Sequence, residues 1–274
     1  MKRFAIATIV ALMLVGAQLS VQAADTTADW NALNTQVDTL YKQGSFAHAT
    51  ELATQSLQLA EKSPDKDQAN VATSLNKLAE LYWAQHQYSK AEPLYQRALA
   101  IREKALGPND SGVAVVLNNL ALLFKAQSQY AKAEPLYQRA LAIWEKARGP
   151  NHPDVAQGLN NLAALYYAQD QYAKAEPLYQ RALAIREKAL GPDHPDVAQS
   201  LNNLAALYFA QGQFAKAEPL YKRTLAILEA SLGPNHPNVA ATLGNLAEIY
   251  KATGRAEEAK PLEQRAQAIR EIKR

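Results

Sequence analysis

From about residue 28 onward, apolar residues recur at helical spacing, interrupted by short polar turns. Val197, Leu201, Leu204, Ala205 and Tyr208 follow i, i+4, i+7, i+8 and i+11, the stripe of an amphipathic helix. Gln211-Gly212-Gln213 breaks the stripe, and Phe214, Ala217, Leu220, Tyr221, Leu225 and Leu228 resume it. Gly233-Pro234 then stops the second helix, since glycine tolerates the turn past a last carbonyl and proline cannot continue a helix. Pro195 suits a first helical position, and Asp196 complements the positive helix N-terminus. The spacing predicts helices of about 16 and about 19 residues, roughly 24 and 28 Å long at 1.5 Å per residue.

The helix pair repeats. Pro93, Pro135, Pro177, Pro219 and Pro261 are each 42 residues apart, as are Arg97, Arg139, Arg181, Arg223 and Arg265, and Leu75, Leu117, Leu159, Leu201 and Leu243. Projected backward, Leu33, Phe46 and Ala49 fall in phase with Leu201, Phe214 and Ala217, so a diverged first unit begins near residue 28. Six units are expected, approximately 28–69, 70–111, 112–153, 154–195, 196–237 and 238–274. Such units bury their apolar faces by stacking on one another. Pro219 lies about six residues inside the second helix, where proline normally costs about 3 kcal/mol. Either the regular helix starts later or it bends.

Leu201, Leu204, Ala205, Tyr208, Gly212, Phe214, Ala217, Tyr221 and Leu225 resemble the tetratricopeptide repeat pattern. The 42-residue period, His194-Pro195-Asp196-Val197-Ala198 and Leu201-Asn202-Asn203-Leu204-Ala205 look like the kinesin light chain type. The resemblance covers essentially all of the chain beyond residue 23. It implies an all-α fold, a right-handed α-solenoid of about six antiparallel helix pairs that binds extended peptides in a concave groove. Motor cargo transport does not carry over, because no long heptad region is present. The Tyr221 and Leu225 phases become Glu263 and Gln267 in the last unit, and the Leu204 and Leu207 phases become Gln36 and Thr39 in the first. Polar end faces argue for caps and against open-ended stacking, so a monomer is expected.

In that family the first helix of each pair faces the groove. The resemblance therefore puts Asn119, Asn161, Asn203 and Asn245 there, with Lys77 in the second unit, and beside them Asn76, Asn118, Asn160 and Asn202. An amide offers two donors and an acceptor, enough to clamp a peptide backbone whatever its side chains. The competing use is a hydrogen bond from one Asn of each pair to a neighbouring repeat's backbone. Six residues further on, the same phase holds Trp83, Lys125, Tyr167, Phe209 and Lys251, and it varies between units. Aromatic and cationic residues there suit a peptide with apolar and acidic side chains. Ordinary packing between helices is the alternative. Gln157 and Gln199 are weaker groove candidates.

The Arg97 series lies on the second helix of each pair. Its regularity predicts a structural ion pair or carbonyl contact between repeats, and no Gly-rich phosphate loop accompanies it. His152, His194 and His236 occupy equivalent loops one repeat apart. Neighbouring helices pack about 8–10 Å apart, far beyond a shared metal with bonds of about 2 Å, so a loop role is expected. No cofactor or metal is implied. With no Cys, no Gly-x-Ser-x-Gly elbow and no His-Glu-x-x-His, catalysis has no foothold, and Glu80 and Glu248 are isolated acids.

Lys2 and Arg3, the apolar run Phe4 to Val15, and Val21-Gln22-Ala23 form a secretory signal pattern over residues 1–23, with cleavage expected after Ala23. The run is short for a membrane span, which needs about 20 residues. A periplasmic or secreted protein without a stable span is expected, and the lack of Cys suits an oxidising compartment. The chain carries +3 overall, so losing Lys2 and Arg3 with no acid leaves +1, too little to drive nucleic-acid binding. The function expected is non-enzymatic: a protein-protein interaction scaffold holding an extended segment of a protein or peptide partner. The alternatives are a self-associating structural protein and an accessory subunit of an envelope enzyme complex.

Overall fold

The computed structural model describes residues 27–63 and 68–272; the leader expected at 1–23 lies outside them. Among the described residues there are twelve α-helices and no strand. They are α1 (27–42), α2 (Phe46–Lys62), α3 (Gln68–Ala84), α4 (Tyr88–Leu106), α5 (Ser111–Ala126) and α6 (Tyr130–Arg148). Then follow α7 (Pro153–Tyr167), α8 (Tyr172–Leu190), α9 (Pro195–Ala210), α10 (Phe214–Leu232), α11 (Pro237–Ala252) and α12 (Ala256–Ile272). Odd-numbered helices are the first of each pair. The chain forms two compact units, one ending at Gln129 and the other beginning at Tyr130, a division that falls inside the third repeat. Within each unit consecutive helices pack on one another, and α3 also meets α5, as α7 meets α9.

Helix ends follow from short-range chemistry. α9 spans 16 residues and α10 spans 19, the lengths the apolar stripes predict. His152, His194 and His236 are N-caps: each Nδ1 accepts from the backbone N–H two residues on, at 3.1, 3.1 and 3.2 Å. Asp110 does the same for Gly112 at 2.7 Å. This is the loop role expected of the histidines, and it satisfies a donor the helix itself cannot. After α8, Gly191 sits at φ +89 and ψ 157, a region essentially confined to glycine.

The repeated prolines lie inside continuous helices. α10 begins at Phe214, so the regular helix does not start after Pro219. Pro219 is its sixth residue, and one helical bond, to the carbonyl of Ala215, is lost. Ala215 lies on the exposed side of the helix, where an orphaned carbonyl costs less than it would in the core.

Small residues let the helices approach closely. Ala79, Ala121, Ala163, Ala205 and Ala247 on the first helices are fully buried, as are Ala91, Ala133, Ala175, Ala217 and Ala259 on the second. Leu75, Leu117, Leu159, Leu201 and Leu243 are equally inaccessible. Between Val197 on α9, Ile227 and Leu228 on α10, Val239 and Leu243 on α11, and Ile269 on α12 there is one continuous apolar cluster. Gln36 and Thr39, which replace core leucines in α1, are exposed, as is Gln267 in α12.

The Arg97 series makes both contacts the sequence left open. Arg97, Arg181, Arg223 and Arg265 pair with Glu61, Glu145, Glu187 and Glu229 of the preceding repeat at 2.7, 2.6, 2.5 and 2.5 Å. Arg181, Arg223 and Arg265 also donate to the carbonyls of Pro150, Pro192 and Pro234. A second ladder runs through tyrosine: Tyr166 donates to Glu134 at 2.8 Å and Tyr208 to Glu176 at 2.9 Å.

Candidate functional site

The asparagine pairs lie on α3, α5, α7, α9 and α11, and the structure divides them by use. Asn76, Asn118, Asn160 and Asn161 are buried. Asn203 donates from Nδ2 to Asn160 Oδ1 at 3.1 Å, across one repeat. In the first unit Asn119 donates to Asn76 Oδ1 at 3.2 Å and to Glu80 Oε1 at 2.6 Å. Asn118 donates to Asn119 at 3.4 Å, and Asn161 accepts from Gln157 at 3.2 Å. Asn203–Asn160 and Asn119–Asn76 therefore join amide to amide between repeats. This is the competing use foreseen from the sequence, with a side chain in place of the backbone as partner. Asn202 and Asn245 differ: both are half-buried on α9 and α11, and neither side chain makes a hydrogen bond within the protein.

The variable phase six residues on also has internal work. Tyr167 packs on Tyr172 with ring centroids 5.7 Å apart, and Phe209 meets Phe214 edge-on at 5.4 Å. Tyr41 meets Phe46 in the same way at 5.5 Å. Each pair spans the turn from the first helix to the second, so these rings close the hairpin with one side while remaining half-exposed. Lys251 is exposed and pairs with Glu248 and Glu263, whose hydrogen bonds raise its pKa, Glu263 foremost. Lys125 is half-buried, and burial lowers its pKa. Trp83 is half-buried with its indole N–H enclosed and unpartnered.

Glu80 is more than an isolated acid. Asn76 and Asn119 both donate to its Oε1, at 2.8 and 2.6 Å. Desolvation by burial pushes its carboxyl above the usual range, against those bonds and Lys77, with Asp38 adding to the rise. Lys77, expected in the groove, is paired with Asp38 on α1. Val37, Asp38, Tyr41, Lys42, Lys77 and Glu80 border a small cavity of about 170 Å³.

Sequence reasoning missed Arg186. It is 3% exposed on α8 and bridges α7 to α9. Nη1 donates to the Asp196 carbonyl, Gln199 Oε1 and Ser200 Oγ at 2.9, 3.0 and 3.0 Å; Nη2 donates to Gln157 Oε1 at 2.9 Å. Gln157 and Gln199, the weaker groove candidates, are thus its acceptors. One repeat earlier the same phase is Trp144, whose ring lies over Gly158, and one repeat later it is Leu228 beside Thr242. The signal was available: the residue at 144, 186 and 228 changes in step with that at 158, 200 and 242.

No group of three or more His, Asp or Glu able to hold a metal occurs among the described residues, and no described helix is long and apolar enough to cross a membrane. The tetratricopeptide repeat pattern matches residues 31–104, 112–188, 154–230 and 196–272. The chain is similar to BtubC (BKLC) of P. vanneervenii at 28% identity and TM-score 0.69, covering 88% of this chain and 92% of that one. It is similar to a Podosopora anserina protein with nearly identical kinesin-light-chain repeats at 29% identity and TM-score 0.65, covering 76% and 99%. PilW, a type IV pilus biogenesis factor, shares the fold at 22% identity and TM-score 0.64, covering 87% and 92%. No curated protein matches the chain.

Proposed function

The chain belongs to the tetratricopeptide repeat family, and from that premise we propose that it is a non-enzymatic scaffold holding an extended segment of a partner protein. In the second unit the segment lies along α7, α9 and α11. The observation that carries this reading is the contrast within the asparagine set. Most of the repeated polar residues have partners inside the protein, as a framework should. Asn202 and Asn245 keep free amides on adjacent first helices, with donors and an acceptor available to a peptide backbone. Phe209 and Tyr167, half-exposed on α9 and α7, leave part of their rings open to a partner, where aromatic surface supplies contact area at low entropic cost. In the first unit Trp83 and Lys125 occupy that phase, and Asn119, held against Glu80, presents less free polar surface. The proposal includes export: the leader over residues 1–23 would place the mature protein in a periplasm or outside the cell.

Site-directed photo-crosslinking tests the face. A crosslinking residue at Ala206 on α9 should capture a partner from envelope extract, and one at the exposed Ala226 on α10 should not. Capture from Ala226, with none from Ala206, moves the interface off the first helices.

A further inference from the structure

Arg186 fills a slot between α7 and α9, and moving each of its contacts forward one repeat leads to an open one. Gln157, Asp196, Gln199 and Ser200 become Gln199, Asn238, Ala241 and Thr242, and Arg186 itself becomes Leu228. All five of these shifted residues line a cavity of about 440 Å³ between α9, α10 and α11. The repeat architecture builds this slot again at each 42-residue step. Arg102 fills it on α4, donating Nη2 to Thr73 at 3.0 Å, Trp144 fills it on α6 and Arg186 fills it on α8, whereas on α10 the shorter Leu228, with Ala241, leaves the space open.

We propose that this second slot receives a single arginine side chain of the bound partner. The proposal rests on the groove-binding reading and deepens it. The acceptors that remain suit a guanidinium. Asn202 lines the cavity with an amide that makes no internal hydrogen bond. The Asn238 carbonyl, counterpart of the Asp196 carbonyl that binds Arg186, already accepts its helical bond and the Thr242 hydroxyl at 2.9 Å, so the acceptors left open are the side-chain oxygens of Asn202 and Asn203, the latter amide donating only through Nδ2. Asp196 is the one charged residue among those lining the slot, and it also interacts with the Arg186 guanidinium, so recognition rests on hydrogen-bond geometry rather than on net local charge. Leu228 and the exposed Leu232 offer apolar surface to a methylene stem. A planar fork with five donors meets several converging acceptors better than an ammonium does, which selects arginine over lysine.

The probe is the peptide acetyl-Gly-Arg-Gly-amide, titrated into the isotope-labelled full chain and followed by NMR, with lysine and norleucine peptides as controls. The arginine peptide is expected to produce saturable shifts at the Asn202 side-chain amide and at the Asn238 and Thr242 backbone. The lysine peptide should bind more weakly and norleucine not at all. Leu228→Arg, which installs the guanidinium that the preceding slot already holds, should weaken the arginine peptide at least about tenfold, as loss of a charged hydrogen-bonded site does. Asn202→Ala, which breaks no internal bond, should weaken it as well and leave thermal unfolding unchanged. Absence of saturable shifts at these residues, equal response to the lysine peptide, or unaltered binding by Leu228→Arg and Asn202→Ala overturns the proposal. The two readings fail separately. A partner lost from other groove variants but retained by Leu228→Arg removes the slot and keeps the groove.

Discussion

Gly158 and Trp144 provide a quantitative check on packing between repeats. A Cβ added at Gly158 would lie 3.1 Å from both Cε3 and Cζ3 of Trp144 and 3.4 Å from Leu141 Cδ1. Two opposed effects decide the outcome of Gly158→Ala. Alanine in a helix interior is favoured over glycine by about 1 kcal/mol. Overpacking a buried ring typically costs about 1–3 kcal/mol, and Trp144 is only 4% exposed, with little room to retreat. The net expectation is destabilisation of up to about 2 kcal/mol. In a Trp144→Leu background, which copies Leu228 one repeat later, the clash disappears and only the propensity gain of about 1 kcal/mol remains. The sign of the substitution should therefore reverse. Urea unfolding of the four proteins in the double-mutant cycle, followed by far-UV circular dichroism, measures the coupling, expected at about 1–3 kcal/mol. A coupling below about 0.5 kcal/mol would refute the interlocked packing described for this repeat junction.

The asparagine assignments separate on stability. Asn203→Ala strands the buried Asn160 oxygen and should cost about 1–2 kcal/mol, whereas Asn202→Ala should be near neutral; equal effects in thermal unfolding would contradict the division. Glu80 has a native pKa above its unfolded one, so the native state holds the proton longer and stability falls as pH rises through the ordinary glutamate range and on toward the raised native value. Asp38, Tyr41, Lys77 and Tyr95 are the ionisable groups coupled to it. Glu80→Gln keeps an oxygen for Asn76 and Asn119 and should flatten this dependence; parallel pH curves for the two proteins would count against it. His194→Ala should cost about 0.5–2 kcal/mol, as removal of an N-cap acceptor does, and His194→Asp, copying Asp110, should restore the loss. Failure of Asp to restore it would remove the capping role.

The helix pairs, their lengths, the core leucines and the Arg97 ladder were legible because each follows from spacing along one chain. The histidines were legible as loop residues, although their capping geometry required backbone positions. The asparagines were harder, since Asn202 and Asn203 are neighbours in sequence with identical chemistry. Only the distance to the preceding repeat shows that Asn203 reaches Asn160 while Asn202 reaches nothing. Tyr167 and Phe209 were ambiguous for a similar reason. Their partners, Tyr172 and Phe214, lie across a turn, where helical periodicity gives no guidance. Arg186 was hidden by its type, because a charged residue on a second helix reads as solvated until its burial is known.

The most direct test of the account is affinity capture from the envelope fraction of the source organism, with wild type beside Asn202→Ala/Asn245→Ala. Both substituted amides lack internal partners, so the double variant should unfold like wild type. The account predicts a protein retained by wild type and lost by the variant. Retention by both to the same extent would contradict binding along the first helices.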